Sequence, residues 1–317
     1  MADASGLAPA ASVVVKSPKH HRRGAFAALV FLLPALIVFG LFIFFPTVRS
    51  VMLSFQGTNL LGQPSGFVGL RNYTKLIANP DPTTPSFGQI LLNTILFTVF
   101  TVVPTLVLSL VISLMLNQRI GGIRFFRSAF AIPFSFSVAT AAVAFSVMYN
   151  PANGVLNGIL SWVGIPPVQW LTSTPLLAMV SVSIATVWMN LGYYILIFMA
   201  GLGAVPDDVV EAARLDGAGG IRLQWSVIMP LLGPQFFFLT VTGTLQALQS
   251  FGQINILTQG GPVGGTTTLV YSIYYWAFAF NNADYGYASA QAIVLCLIVI
   301  IISAVQFGLM QRRVFYA

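Results

Sequence analysis

Six stretches of this chain, at about 25–48, 90–116, 128–149, 175–203, 231–257 and 287–310, contain no Asp, Glu, Lys or Arg. Each exceeds the ~18 apolar residues that cross the hydrocarbon core of a bilayer as a helix. The rest of the chain is too poor in ions to wrap such runs in a water-facing surface. Only 7% of its 317 residues are charged and 57% are hydrophobic, whereas a soluble domain carries about 25% charged residues. A single large soluble domain is therefore excluded. In lipid every backbone polar group needs an internal partner, and long alternating strands are absent, so the spans are helices and not a barrel. The fold class is all-α, a polytopic membrane protein with six transmembrane helices. Pro133 and several Ser and Thr residues interrupt the third stretch, and Pro34, Pro104 and Gly243 are candidate kinks.

Charge places the loops. With the N-terminus inside, the interior segments hold Lys16, Lys19, Arg22, Arg23, Arg119, Arg124, Arg127, Arg214, Arg222, Arg312 and Arg313. Arg49, Arg71 and Lys75 fall outside. The positive-inside rule then puts both termini in the cytoplasm. Because the basic residues are scattered among loops, the net charge of +7 builds no nucleic-acid surface. Residues 1–24 read as a disordered cytoplasmic tail and 25–317 as one six-helix membrane domain. The apolar run after Arg23 is long enough to span, with no small-residue cleavage site close behind it, so an uncleaved first helix is expected. The segment 49–89 forms the main external loop. Cys296 is the one cysteine, so neither a disulfide framework nor a thiolate metal site is expected.

The acids are few: Asp3, Asp81, Asp207, Asp208, Glu211, Asp216 and Asp284. None falls within a spanning stretch, so no mid-membrane carboxylate is available to relay protons or bind sodium. Energy for pumping would come from elsewhere. Four of the seven gather in Pro206-Asp207-Asp208-Val209-Val210-Glu211-Ala212-Ala213-Arg214-Leu215-Asp216-Gly217-Ala218, inside a cytoplasmic loop at 204–230. Proline and carboxylates suit the first turn of a short helix, and Gly217 suits its end. Ala212 and Ala213 leave a smooth surface that another protein can approach closely. Taken alone, the stretch also fits a solvated helix whose acids neutralise nearby arginines.

Glu211-Ala212-Ala213, then Asp216-Gly217-Ala218, then Pro230 ahead of an apolar helix, resembles the EAA signature of ABC-importer permeases. The usual Ile-x-Leu-Pro ending is Val227-Ile228-Met229-Pro230 here. Phe67-Val68-Gly69-Leu70-Arg71-Asn72-Tyr73 and Leu257-Thr258-Gln259-Gly260-Gly261-Pro262 resemble two elements of sugar-type permeases. Thr266 through Tyr274, Ser289-Ala290-Gln291, Val305-Gln306-Phe307 and Arg312-Arg313-Val314 are similar to the first permease of glycerol-3-phosphate importers. The chain thus resembles carbohydrate-type ABC-importer permeases of the maltose/glycerol-3-phosphate kind.

That resemblance implies a type I permease fold in a bacterial cytoplasmic membrane, carrying a sugar or glycerol-phosphate-type solute. It implies a heterodimer with a second homologous permease, two copies of an ABC ATPase and an external solute-binding protein. Glu211, Ala212, Ala213, Asp216 and Gly217 would couple to the ATPase. No Walker A pattern occurs, so the chain itself is not expected to be an enzyme or to hold ATP, magnesium or another cofactor. The resemblance also carries the maltose permease's solute contacts onto Asn190, Tyr193, Gly243, Gln246, Ala247 and Ser250. On the fifth stretch Gly243, Gln246, Ala247, Ser250 and Gln253 share one helical face. Amides pair with polyol hydroxyls, and a tyrosine stacks on a sugar face. The same amides could instead only tie helices together, at ~0.6 kcal/mol each.

Two other classes fit less of the chain. In a passive channel or polyol facilitator the fifth stretch would line a pore, but the EAA-like loop would have no purpose. An intramembrane enzyme would need more than the adjacent His20 and His21.

Overall fold

Long apolar runs become long helices because the 3.6-residue ladder satisfies every backbone group internally. The computed structural model describes residues 21–59, 63–78, 83–117, 122–279 and 283–310. The chain divides into two units, one ending at Arg49 and one starting at Ser50. The first holds α1 (His21–Phe39), a π-helical turn at Gly40–Phe44 and the opening of α2 (Phe45–Ser54). Helix continues through Pro34. Its side chains at 29–39 and 41–49 are all exposed, and a helix apolar all round suits a membrane span. The tail expected over 1–24 lies outside the described residues as far as 20; residues 21–24 already belong to α1.

In the second unit β1 (Gln56–Thr58) and β2 (Pro64–Phe67) form an antiparallel ribbon, Gln56 opposite Phe67 and Thr58 opposite Pro64. Then come α3 (Arg71–Ala78), α4 (Phe87–Leu116), α5 (Ile123–Ala131), a 3-10 turn at Ile132–Ser135, α6 (Val138–Met148) and α7 (Val155–Trp162). They are followed by α8 (Pro175–Gly203), α9 (Asp207–Leu215), α10 (Gly220–Leu223), a π turn at Gln224–Ile228 and α11 (Met229–Leu231). Next are α12 (Gly233–Leu248), α13 (Gly252–Leu257), α14 (Leu269–Tyr274), a π turn at Tyr275–Ala279 and α15 (Tyr285–Met310). Four described helical runs are long and apolar enough to cross a membrane, and six if each of two bent pairs counts as one span.

The bends correct the reading of the third and fifth stretches as continuous helices. The third turns by 101° between Phe125–Ser135 and Val138–Met148. Ser137 there takes extended geometry and its hydroxyl accepts from the Thr140 amide at 3.1 Å, starting α6 afresh. The fifth turns by 67° between Gly220–Leu231 and Gly233–Leu248, then stops at Leu248 and restarts at Gly252. Elsewhere the boundaries are legible chemistry. Ser86 caps α4 and Thr174 caps α8, with Pro175 in the first turn of α8. Arg127 donates to the Leu116 carbonyl at 2.9 Å, satisfying a terminal acceptor of α4.

α4 and α8 pack along their lengths. Buried small residues, Ser109 and Ser113 on α4 and Ala178 and Ala185 on α8 among them, suit the close approach of membrane helices. Ser113 Oγ donates across it to Ile195 O at 3.3 Å. One apolar cluster gathers Phe97, Phe145, Met179, Val182 and Ile254; another gathers Phe198, Leu202, Leu232 and Leu239.

These contacts define two ends. At one, Asn93 Nδ2 donates to Gly264 O at 2.9 Å and Thr267 O at 3.1 Å, tying the start of α4 to the Gly260 turn. There also Asn72 Nδ2 donates to Ser54 O and Gln56 O at 2.9 and 2.8 Å, and Lys75 Nζ meets Asp284 at 2.7 Å. At the opposite end α9, α10 and the π turn fold over the close of α4 and α8.

Candidate functional site

A cavity of about 580 Å³ opens midway along the bundle. Thr101 and Thr105 come to it from the middle of α4, and Thr186, Asn190 and Tyr194 from the middle of α8. Gly243, Gln246 and Ala247 reach it from α12. Its remaining wall includes Gln249, Ser250, Phe251 and Gly252, where the helix is broken, and Gln253 beyond. The expected one-sided row at 243, 246, 247, 250 and 253 is therefore not one helix face. It is the end of α12 plus an irregular turn, and the break still brings all five residues to one cavity.

The chemistry of the lining is polar and uncharged. The Thr101, Thr105 and Thr186 hydroxyls donate to carbonyls one turn back at 2.6–2.8 Å, leaving their oxygens as acceptors. Gln253 Nε2 donates to Ser250 Oγ at 3.0 Å, and Ser250 Oγ donates to Gln246 O at 3.0 Å, which stiffens the break. Asn190, Gln246 and Gln249 make no side-chain hydrogen bond among the described residues and line the space, each with donors and acceptors on offer.

Gly243 is set by close approach. Tyr194, 2% exposed, donates from Oη to Leu239 O at 3.3 Å, and its hydroxyl occupies the place that a Cβ at 243 would take. Of the six residues carried over, Asn190, Gly243, Gln246, Ala247 and Ser250 line the cavity, while Tyr193 is not among its lining residues. The Tyr193 ring instead stacks on Phe134 at 5.4 Å and packs against the Phe198 cluster. Its neighbour Tyr194 takes the cavity wall, because a one-residue step rotates a helical side chain by about 100°.

At the far end a second, wider groove of about 1020 Å³ is walled by Leu114 and Asn117, by Asp207, Glu211 and Arg214 of α9, and by Gln224. Asp207 and Asp208 open α9 and Arg214 closes it, each matching the sign of its helix end. Val210 and Ala213 pack on the Phe198 cluster, whereas Glu211, Ala212, Asp216 and Gly217 are exposed. Ala213 of the expected coupling set is thus half-buried as a foot for the helix. The stop is a Schellman turn: Ala218 N donates to Ala213 O at 2.9 Å and Gly217 N to Arg214 O at 3.0 Å. Gly217 sits at φ +80°, a conformation that glycine adopts without strain. Leu215, 84% exposed, and Ile221 and Trp225 add uncovered apolar surface at this end.

Sequence reasoning missed the contribution of α4. The signal was present as Thr94, Thr98, Thr101 and Thr105, followed by Ser109 and Ser113, spaced by three and four. Such spacing draws a polar stripe along one face of an otherwise apolar helix.

Residues 86–316 match the family described as binding-protein-dependent transport system inner membrane component. The chain is 35% identical over 288 residues to the sn-glycerol-3-phosphate transport system permease protein UgpA of Agrobacterium fabrum, covering 89% of this chain and 94% of that one. It is 30% identical to the UgpA of Pectobacterium atrosepticum, covering 93% and 97%. Its fold is similar to a chain of the bacterial alginate ABC transporter solved in complex with an alginate pentasaccharide-bound periplasmic protein. The TM-score is 0.79 at 20% identity, covering 92% of this chain and 96% of that one.

Proposed function

The chain belongs to the binding-protein-dependent transport system inner membrane component family, and on that premise we propose how it works as the permease subunit of an ATP-driven ABC importer. A sugar or glycerol-phosphate-type solute passes through the mid-bundle cavity, in contact with Asn190, Gln246, Ser250 and the Gly243–Ala247 wall. Among the described residues no Lys, Arg, Asp or Glu lines that cavity. Asn190, Gln246 and Gln249 are amides, suited to hydroxyl groups, which supports cargo recognised through a polyol. A phosphate on the cargo would draw its partners from the second permease, from backbone amides or from helix ends.

Work comes from outside the chain. A second homologous permease completes the pore, two ABC ATPases bind ATP and magnesium, and an external binding protein delivers solute. The termini and the 204–230 loop face the cytoplasm of a bacterium, in keeping with the inner-membrane family and the basic residues at that end. The six-helix domain takes in α1 from His21 onward, with the tail before it.

The observation that carries this reading is α9. Two of its side chains are rooted in the bundle while Glu211, Ala212 and Leu215 stand clear beside the groove. Exposed apolar surface next to a charge is what a docking helix presents to a partner groove. Purification through a tag on this chain should bring an ABC ATPase with it, and Glu211→Lys should release that ATPase without removing the chain from the membrane. An ATPase retained at full stoichiometry together with normal uptake would refute the coupling assignment. A passive polyol facilitator, the second reading, would conduct without any ATPase.

A further inference from the structure

The segment at 150–174 joins α6 to α8 at the end where Asn93 meets the Gly260 turn, and it holds α7. From Ser128 to Pro206 the chain has no Asp, Glu, Lys or Arg. A connection of this length facing bulk water would carry about six charged residues at ordinary composition. Its uncovered surface is instead uncharged, and one face of α7 is apolar. Val155, Ile159, Trp162 and Val163 are all exposed, Trp162 at 86%. Their spacing of four, three and one places them within about a 100° sector of the helix.

The opposite side is fastened down. Asn157, buried, donates from Nδ2 to Pro151 O at 3.1 Å and to Val168 O at 2.9 Å. Its Oδ1 accepts from Val168 N at 3.1 Å and from Trp170 Nε1 at 3.0 Å. Both donors and both lone pairs of that amide are used, and Leu156 packs on the Phe97 cluster. The roll of α7 about its own axis is therefore fixed, and its apolar face is held outward by construction. The indole of Trp162 makes no hydrogen bond among the described residues, unlike that of Trp170.

We propose that α7 lies in the membrane–water interface, its Val155–Ile159–Trp162–Val163 face bedded among lipid headgroups and upper acyl chains. Three observations favour lipid over a protein partner. The segment lacks the charged rim that a water-facing docking patch carries. A tryptophan with an apolar ring and a free N–H is the residue enriched at the headgroup level. The neighbouring span ends are uncovered and apolar too, since Val147 near the close of α6 and Leu176 at the opening of α8 are both exposed. A helix with one apolar face carrying Trp lies in the plane of the interface with that face buried. In this position α7 sets the depth at which α6 and α8 sit.

The test uses the full chain with its partners in proteoliposomes. Cys296, the only cysteine, is first replaced by Ala. A small environment-sensitive fluorophore is then placed singly at Trp162→Cys, at Ile159→Cys on the same face, and at Ser161→Cys off it. Val263→Cys, an exposed side chain on the Gly260 turn, gives the aqueous reference. Phosphatidylcholine bearing a nitroxide at the top of its acyl chain should quench positions 159 and 162 at least threefold more than 161 or 263. Iodide present on both sides should quench them at least threefold less. Iodide quenching equal to that at 263 would place the face in water, and protection from both quenchers would place it against protein; either overturns the proposal. The pair at 159 and 162 keeps the outcome readable if one variant fails to assemble.

Discussion

Gly243→Ala is the sharpest probe of the cavity wall, because one added carbon has a defined collision. The Tyr194 hydroxyl lies where the new Cβ would be, and its Cζ only 3.1 Å from there. The ring is 2% exposed and packed in the Phe198 cluster, so it has little room to retreat. Overpacking of this kind costs about 1–3 kcal/mol. Breaking the 3.3 Å bond from Tyr194 to Leu239 O adds about 0.6 kcal/mol, the average for side-chain hydrogen bonds between membrane helices. Alanine returns about 1 kcal/mol of helix propensity. The net loss is therefore about 0.6–2.6 kcal/mol.

Tyr194→Phe removes the colliding atom. In that background the same Gly243→Ala change should cost little, leaving a coupling energy of about 1–2 kcal/mol in a double-mutant cycle. Thermal unfolding of the detergent-solubilised complex, followed for all four combinations, reads this directly. Solute uptake should fall in parallel, since the displaced ring enters the cavity. Equal destabilisation by Gly243→Ala in both backgrounds would refute the contact between α8 and α12 on which the cavity wall rests.

Other outcomes follow from the same geometry. Gln246→Leu removes one unengaged amide and should lower uptake by roughly 2- to 12-fold, the equivalent of about 0.5–1.5 kcal/mol, while capture by the external binding protein stays unchanged in an equilibrium binding assay. Gln246→Arg should block a neutral solute more severely than an anionic one, read as the ratio of their uptake rates. Gly217→Val forces a β-branched residue to φ +80° and should cost roughly 1–2 kcal/mol at the end of α9, whereas Gly217→Asn, better tolerated there, should keep most ATP-coupled uptake. The Asp284 carboxyl is pulled both ways: burial raises its pKa, but hydrogen bonds from Lys75, the Tyr287 amide and Thr58, with the Lys75 charge, hold it below the ordinary value. A lowered folded pKa contributes stability above the ordinary carboxylate range and loses it as pH falls through the depressed value. Thermal stability should thus drop as pH is taken from about 5 to about 3, by an increment that Asp284→Asn lacks.

Hydrophobic length made the spans legible, and capping chemistry made several of their ends legible too. Ser86 and Thr174 are ordinary N-caps before apolar runs. What composition could not reveal is where an uncharged stretch stops being one helix. Residues 231–257 keep a helical spacing of polar positions straight across the break after Leu248, because Ser250 and Gln253 happen to continue the count. In lipid an interruption is tolerated where the freed groups find partners or line a cavity. Here the Gln253–Ser250–Gln246 hydrogen bonds supply the partners, and the cavity supplies the polar space. A pattern that says which side chains are polar does not say which backbone they ride on.

The cavity shows how far a residue-by-residue inference reaches. Five of six carried-over positions line it, and the sixth misses by a single step along α8. A tyrosine ring suits a sugar face, yet the pair at 193 and 194 offers that ring in two directions, and only packing decides between them. Phe134 stacks on the first ring and Gly243 makes room for the second. That choice is made by the 3-10 turn between α5 and α6 and by α12, through residues more than 45 positions away in sequence on either side. The threonines of α4 escaped notice for the converse reason. Each hydroxyl donates to its own helix, so in sequence they read as residues tolerated inside a span, although their acceptor sides complete the polar wall. A cavity between helices is a property of pairs of faces, and the sequence displays the faces one at a time.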